Sequence, residues 1–204
     1  MSDEALRWLI ACGFGVPIFH LIVPLILGVL HPGYSPMKQF ISELATPKRP
    51  YALLVSASFV FAGLLTIPFS IALYNQFPPG VFSWIAPTLL FIHGLSNVGA
   101  GIFPVEVSSF AGRIHTVVSQ FGLWGSLVAP FFVWLNIRNG DSWHFVAVFS
   151  LVMQAAIMMV FAVFVYVTET RRRASSKAVI GLFQRLYLAV YYVWFTGLVI
   201  RLIL

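Results

Sequence analysis

Charge is what this sequence has least of. Only 9% of its 204 residues are Asp, Glu, Lys or Arg, while 60% are hydrophobic; soluble domains carry about 25% charged residues. No soluble fold hides that much apolar surface, so the chain is expected to be an integral membrane protein. Residues 51–105 contain no charged residue at all. Cysteine is nearly missing too. Cys12 stands alone, which excludes an intrachain disulfide, and inside an apolar run it reads as a small buried hydrophobe. The opening MSDEALRW lacks the basic n-region and small-residue cleavage site of a signal peptide, and the apolar run after it is too long for an h-region. That run is expected to remain as a span. No internal repeat is visible, so the inverted-repeat signature of many transporters is missing. A haem attachment sequence, an HExxH zinc site, a GxSxG elbow and a phosphate-binding glycine loop are missing as well. No metal site and no cofactor are expected from motifs.

What is present is apolar length. Six runs reach the ~20 residues that cross a bilayer, at about 8–30, 51–74, 82–104, 113–136, 143–168 and 178–203. The connections are too short for a soluble domain. The predicted fold is a single all-α membrane domain, a bundle of six transmembrane helices. Twenty Phe and six Trp suit a lipid-facing exterior with interfacial anchors. Pro17, Pro24, Pro68, Pro87 and Pro130 fall inside the runs and are expected to kink them. Small-residue pairs such as Ser58/Ala62 and Gly122/Ser126 fit close helix contacts without identifying a dimer interface.

The net charge of +6 lies mainly in short loops, where topology and anionic headgroups account for it better than nucleic acid does. Loops 31–50, 105–112 and 169–177 fall on one side. With the adjoining span ends, that side carries Lys38, Lys48, Arg49, Arg113, Arg171, Arg172, Arg173 and Lys177. Arg7, Arg138 and Arg201 lie on the other. The positive-inside rule places the three loops in the cytoplasm and both termini outside, in the cell (inner) membrane.

The stretch His31 to Pro50 is the long polar segment of the first half. His31-Pro32-Gly33 breaks the first span, and Ser35-Pro36 reads as a helix start. Met37, Phe40, Ile41 and Leu44 then recur at helical spacing, predicting a short amphipathic interfacial helix over about 36–45 that turns Ser42 and Glu43 toward the bundle. Other polar residues converge on the same side. Glu106 ends span 3, Arg113 and His115 open span 4, and Gln184 and Arg185 lie near the start of span 6. Charges at membrane depth are expensive and ask for a reason. Ser42, Glu43, Glu106, Arg113, His115, Gln184 and Arg185 are therefore the candidate ligand-pocket residues. Each also has an ordinary reading. Arginines near helix ends snorkel, Glu106 can pair with Arg113 across a turn, and His115 can satisfy a loop carbonyl.

A second polar feature runs inward along span 3, where His93 and Asn97 stand four apart with Ser96 beside them. His20 lies at matching depth in span 1. Two such histidines are what a b-type haem with bis-histidine ligation requires; hydrogen bonding to neighbouring helices is the commoner use.

The order of these short motifs resembles a family of bacterial and archaeal membrane proteins, domain of unknown function 998. The resemblance rests on Pro32-Gly33-Tyr34-Ser35, then Ile41-Ser42-Glu43-Leu44 after span 1. Phe103-Pro104 with Glu106 closes span 3, His115 opens span 4, and Gly181-x-x-Gln184-Arg185 opens span 6. Members often have aspartate where this chain has Glu106. The resemblance covers essentially the whole chain and implies a six-span bundle, but it supplies no reaction, ligand or partner. Four functions stand open. The first is binding or transport of a lipid headgroup or anionic small molecule, held by Arg113 and Arg185. The second is an intramembrane enzyme on a lipid-like substrate, using Glu43 or Glu106 with His115. The third is electron transfer through haem on His20 and His93, and the fourth is a subunit of a membrane complex. In each, membrane lipids are the expected surroundings.

Overall fold

The computed structural model describes residues 2–106, 109–173 and 179–204, with backbone alone at 171–173. Six helices are long and apolar enough to cross a membrane. They are span 1 (Asp3–Leu30), span 2 (Ala52–Gln76), span 3 (Ile85–Ile102), span 4 (Phe110–Ile137), span 5 (His144–Arg173) and span 6 (Ile180–Ile203). The six-span bundle read from the sequence is the fold. Lys177 of the expected basic loop 169–177 lies outside the described residues.

Consecutive spans pack against one another, and span 6 closes back on span 1. The helices therefore form a ring around a common interior. Its far half is filled by large side chains such as Phe69, Trp194, Phe195 and Leu198, all fully buried. Close approach sets the spacing of spans 2 and 3. A Cβ added at Gly63 would stand 2.7 Å from the backbone nitrogen of Val98, a contact that only separation of the two helices relieves. At Gly15 the same added atom meets the Cδ1 end of the Leu65 side chain at 2.6 Å, and that end can rotate away. Gly63→Ala is thus expected to cost about 1–3 kcal/mol as overpacking, and Gly15→Ala clearly less. Thermal unfolding of the two variants in detergent checks the order.

The prolines act unequally. Pro87 sits in the first turn of span 3, where a helix has no use for the N–H, so it causes no kink. Pro17 and Pro24 bracket a π-helical turn, Ile18–Ile22, in which the Val23 N–H reaches back five residues to the Ile18 carbonyl. Pro24 has no N–H to give the carbonyl four residues earlier, that of His20, and the wider register accommodates the loss. This turn carries His20.

The segment joining spans 1 and 2 differs from its expected form. Instead of a helix over 36–45 there is a turn at Pro36–Lys38, an extended Phe40, and a single 3-10 turn over Ile41–Ala45. The reason lies in where its backbone groups go. The Gln39 side-chain oxygen takes the Ser35 N–H at 2.9 Å, and the Glu43 carboxylate takes the Phe40 N–H at 3.0 Å. The carbonyls of Pro36 and Gln39 are given to Arg185 of span 6. A helix over 36–45 would need those carbonyls for itself. The segment still covers the end of the ring, with Ile41, Leu44 and Ala45 buried beneath it, and it is the lid of the bundle.

Candidate functional site

The lid is fastened to span 6 by the two motifs that stand farthest apart in the sequence. Arg185, only 8% exposed, donates through Nη1 to the carbonyls of Pro36, Gln39 (2.9 Å) and its own-helix Gly181 (2.9 Å), and through Nη2 to the Tyr34 hydroxyl. The Tyr34 hydroxyl donates in turn to the Phe40 carbonyl at 2.8 Å and to the Gln39 carbonyl at 3.2 Å. Burial holds the Tyr34 phenol above its ordinary pKa, more than the neighbouring Arg185 lowers it, so the hydroxyl stays a donor at neutral pH. Gln184 accepts the Ile41 N–H at 2.8 Å, and the Leu182 N–H reaches the Met37 carbonyl at 3.1 Å. Gly181 permits the contact, because a Cβ there would stand 2.8 Å from the Gln39 nitrogen. Arg185 therefore serves as a rivet. Its charge is balanced by carbonyl dipoles and a phenol through Nη1 and Nη2, and only the buried Nε N–H has no partner among the described residues.

Under the lid lies a cavity of about 400 Å³. Every span contributes to its wall: His20 from span 1, Phe59 from span 2, His93, Ser96 and Asn97 from span 3, and His115, Ser119, Gln120 and Ser126 from span 4. Phe164 of span 5 and Gln184 and Tyr187 of span 6 complete it, with Phe40, Ile41 and Ser42 of the lid. The wall carries many hydrogen-bonding groups and, among the described residues, no Asp, Glu, Lys or Arg.

Of the seven pocket candidates, Ser42, His115 and Gln184 line the cavity. The other four stand outside the lining. Arg185 is the rivet, and Glu43 is spent inside the lid on the Phe40 N–H and on the Gln39 amide at 3.2 Å. Glu106 and Arg113 are exposed, and no ion pair joins them among the described residues. The polar track His93, Ser96 and Asn97 was read as a separate feature, yet it lines the same cavity. Tyr187 and Ser119 carry no expectation from the sequence, and Ser126 only that of a small residue at a helix contact. A signal existed on span 4, where His115, Ser119, Gly122 and Ser126 recur at helical spacing on one face.

Hydrogen-bond partners fix the histidine tautomers. His115 Nδ1 faces the carbonyls of Phe103 (2.7 Å) and Ala100 (3.2 Å), so it carries the proton and Nε2 is an acceptor. This is the loop-carbonyl role considered for His115, with one nitrogen left over. His93 Nδ1 donates to the Gly122 carbonyl at 2.9 Å, and its Nε2 receives the Asn97 amide at 3.2 Å. The Tyr192 hydroxyl meets His20 Nδ1 and has no other acceptor among the described residues, so it donates there and leaves the proton on His20 Nε2. Nε2 of neither His20 nor His115 has a protein partner among the described residues. The cavity thus offers a donor about 15 Å below the lid, ten residues down span 1, and an acceptor near the lid itself. The His20 and His93 rings lie 5.8 Å apart between centroids, but both nitrogens of His93 are engaged by protein. A haem iron would have to displace Gly122 or Asn97.

No curated protein and no solved structure matches this chain. One family does, described as "Protein of unknown function (DUF998)", over residues 14–201. Its match runs from within span 1 to Arg201 near the end of span 6, with the lid and every described residue of the cavity wall inside it, and the chain is a multi-pass membrane protein belonging to the DUF998 family.

Proposed function

We propose that the chain is a membrane-embedded binding protein whose cavity holds an uncharged ligand through hydrogen bonds. One observation carries this reading: a wall drawn from all six spans, rich in hydroxyl, amide and imidazole groups and, among the described residues, free of charged side chains. Buried polar groups without partners are costly. The spare nitrogens of His20 and His115 are therefore positions that a ligand oxygen or hydroxyl would satisfy. An anion finds no cation in the wall, since Arg113 is exposed and Arg185 is occupied by the lid. A volume of about 400 Å³ is at the small end of ligand pockets and suits a polar head with part of a chain.

The test is a thermal-shift panel on delipidated protein, using long-chain alcohols, ketones, carboxylic acids and amines of equal chain length. Alcohols and ketones are expected to raise the melting temperature, by about 2.7 kcal/mol of stabilisation at a hundredfold excess over Kd. The acids and amines are expected to leave it unchanged at pH 7. Stabilisation by the acids alone would return the anion reading to first place.

An intramembrane enzyme is the second reading, supported by the fixed tautomer of His115, whose free Nε2 is placed as a base in the cavity. Its original carboxylate partners, Glu43 and Glu106, do not line the wall. His115→Gln retains a polar side chain but cannot shuttle a proton. If the protein turns over a bound lipid-like alcohol or ester, His115→Gln is expected to lower the rate by a factor of about 10²–10⁴ while binding persists.

A further inference from the structure

Among the described wall residues, Thr116 and Gln120 alone are exposed, and on span 4 they adjoin the exposed Val117, Phe121 and Trp124. They lie four apart on span 4, so one helix edge belongs both to the cavity and to the outer surface. Gln120 is ten residues into the helix, about 15 Å from its start, at a depth where the surroundings are hydrocarbon. The Thr116 hydroxyl is satisfied by the Gly112 carbonyl at 2.9 Å, whereas the Gln120 amide has no partner among the described residues. A bare amide facing lipid at that depth is unfavourable, and it makes sense where a polar group passes.

Across this edge stands span 5. The two helices are tied at the end far from the lid, where Gln154 accepts the Phe131 N–H at 2.9 Å and donates to the Leu127 carbonyl at 3.0 Å. Nearer the lid, no hydrogen bond joins residues 112–126 of span 4 to residues 155–168 of span 5 among the described residues. The Trp124–Phe161 ring pair, centroids 6.5 Å apart, floors the gap, and the lid's Phe40 set edge-on to Phe164 at 6.2 Å roofs it.

From this arrangement we infer that the cavity has a lateral mouth between spans 4 and 5, and that its ligand is a single-chain amphiphile with an uncharged oxygen-bearing head. The head enters sideways past Gln120, and the chain trails out between the helices into the bilayer. The inference rests on the binding reading above and adds the route and the ligand class. The riveted lid stays shut throughout, since Arg185, Gln184 and Leu182 hold it by its backbone.

The test traps each route in turn. In a Cys12→Ala background, Gln120→Cys with Phe164→Cys is bridged across the mouth by a short thiol-reactive linker that reduction removes. Met37→Cys with Leu182→Cys bridges the lid in the same way. Uptake of a dibrominated long-chain fatty alcohol by detergent-solubilised protein is followed by native mass spectrometry, where bromine marks the adduct. Bridging the mouth is expected to slow uptake at least tenfold, with recovery on reduction, and bridging the lid is expected to leave it unchanged. The single variant Gln120→Trp, which fills the mouth without any linker, should slow uptake similarly. Uptake blocked by the lid bridge and untouched by the mouth bridge would overturn the lateral route. Failure of the unbridged, reduced proteins and the wild type alike to take up the alcohol would instead overturn the binding reading, and the inference with it.

Discussion

Replacing Arg185 by alanine is expected to destabilise the folded protein by about 3–5 kcal/mol, the largest single effect available outside the packed interior. The guanidinium spans four acceptors from two distant segments: the carbonyls of Pro36, Gln39 and Gly181, and the Tyr34 hydroxyl. Truncation leaves the Pro36 carbonyl with no donor among the described residues and the Gln39 carbonyl with only the 3.2 Å bond from Tyr34. Hydrogen bonds to a charged donor contribute about 1.5–3 kcal/mol each where the alternative is an unmade bond, so several lost at once exceed the effect of an ordinary surface arginine. Arg185→Lys is expected to recover only a small part, because an ammonium on a flexible stem cannot present the planar fork that reaches Nη1 and Nη2 partners together. Unfolding of both variants in mild detergent, followed by intrinsic fluorescence, tests this. Near-wild-type stability of Arg185→Ala would mean that the lid is held by something other than the rivet. Preserved stability with lost binding of an anionic ligand would restore Arg185 to the pocket.

The second large effect concerns the cavity rather than the fold. Asn97→Leu keeps the branching and heavy-atom count of the side chain but removes the amide that bonds His93 Nε2 at 3.2 Å and makes a polar stretch of wall apolar. Its effect on stability is expected to stay within about 1–3 kcal/mol, the cost of leaving the His93 acceptor unsatisfied. Its effect on ligand retention is expected to be tenfold or more, since a tenfold change corresponds to about 1.4 kcal/mol, roughly one hydrogen bond. The freed His93 nitrogen also becomes available to other donors, so Asn97→Asp provides the companion variant. It adds a charge to a wall that has none and should abolish binding of an uncharged head more completely than leucine does.

The two variants separate what sequence can convey from what it cannot. Hydropathy runs located the spans to within a few residues, because lipid demands long uninterrupted apolar helices. The sidedness of Ser42, His115, Gln184 and Arg185 was also legible, from the count of crossings. The role of Arg185 was not. An arginine five residues into an apolar helix suggests an anion, and only the placement of the Pro36 and Gln39 carbonyls shows what its charge meets. Those carbonyls were free to meet it because the 36–45 segment declined the helix its periodicity suggested. The polar track of His93 and Asn97 lies on one helix face by its spacing, yet its union with His20, Ser42 and His115 in one cavity depends on span 6 closing the ring against span 1. No local pattern encodes that closure. The Ile18–Ile22 π-turn is an intermediate case: Pro17 and Pro24 announce a disturbance, but not that it carries His20, which hydrogen-bonds Tyr192.

The lid also explains why the motif residues lie where they do. Tyr34, Ile41 and Glu43 on one side and Gly181, Gln184 and Arg185 on the other are the two halves of one fastening, separated by more than a hundred residues of chain. They hold the roof, and of them only Ile41 and Gln184 also line the wall beneath. A variant in either half is expected to act on stability first and on binding second, while variants at Asn97, His115 or Ser96 should do the reverse.

The most direct test of the cavity as a binding site is native mass spectrometry of wild-type protein and Asn97→Leu, purified in mild detergent from the same membranes without added ligand. The expected result is one uncharged adduct per wild-type chain, of lower mass than a phospholipid, and its loss or strong depletion in Asn97→Leu at equal folded yield. A wild-type protein that carries no such adduct, or a variant that retains it in full, would contradict the assignment of this cavity as the site of binding.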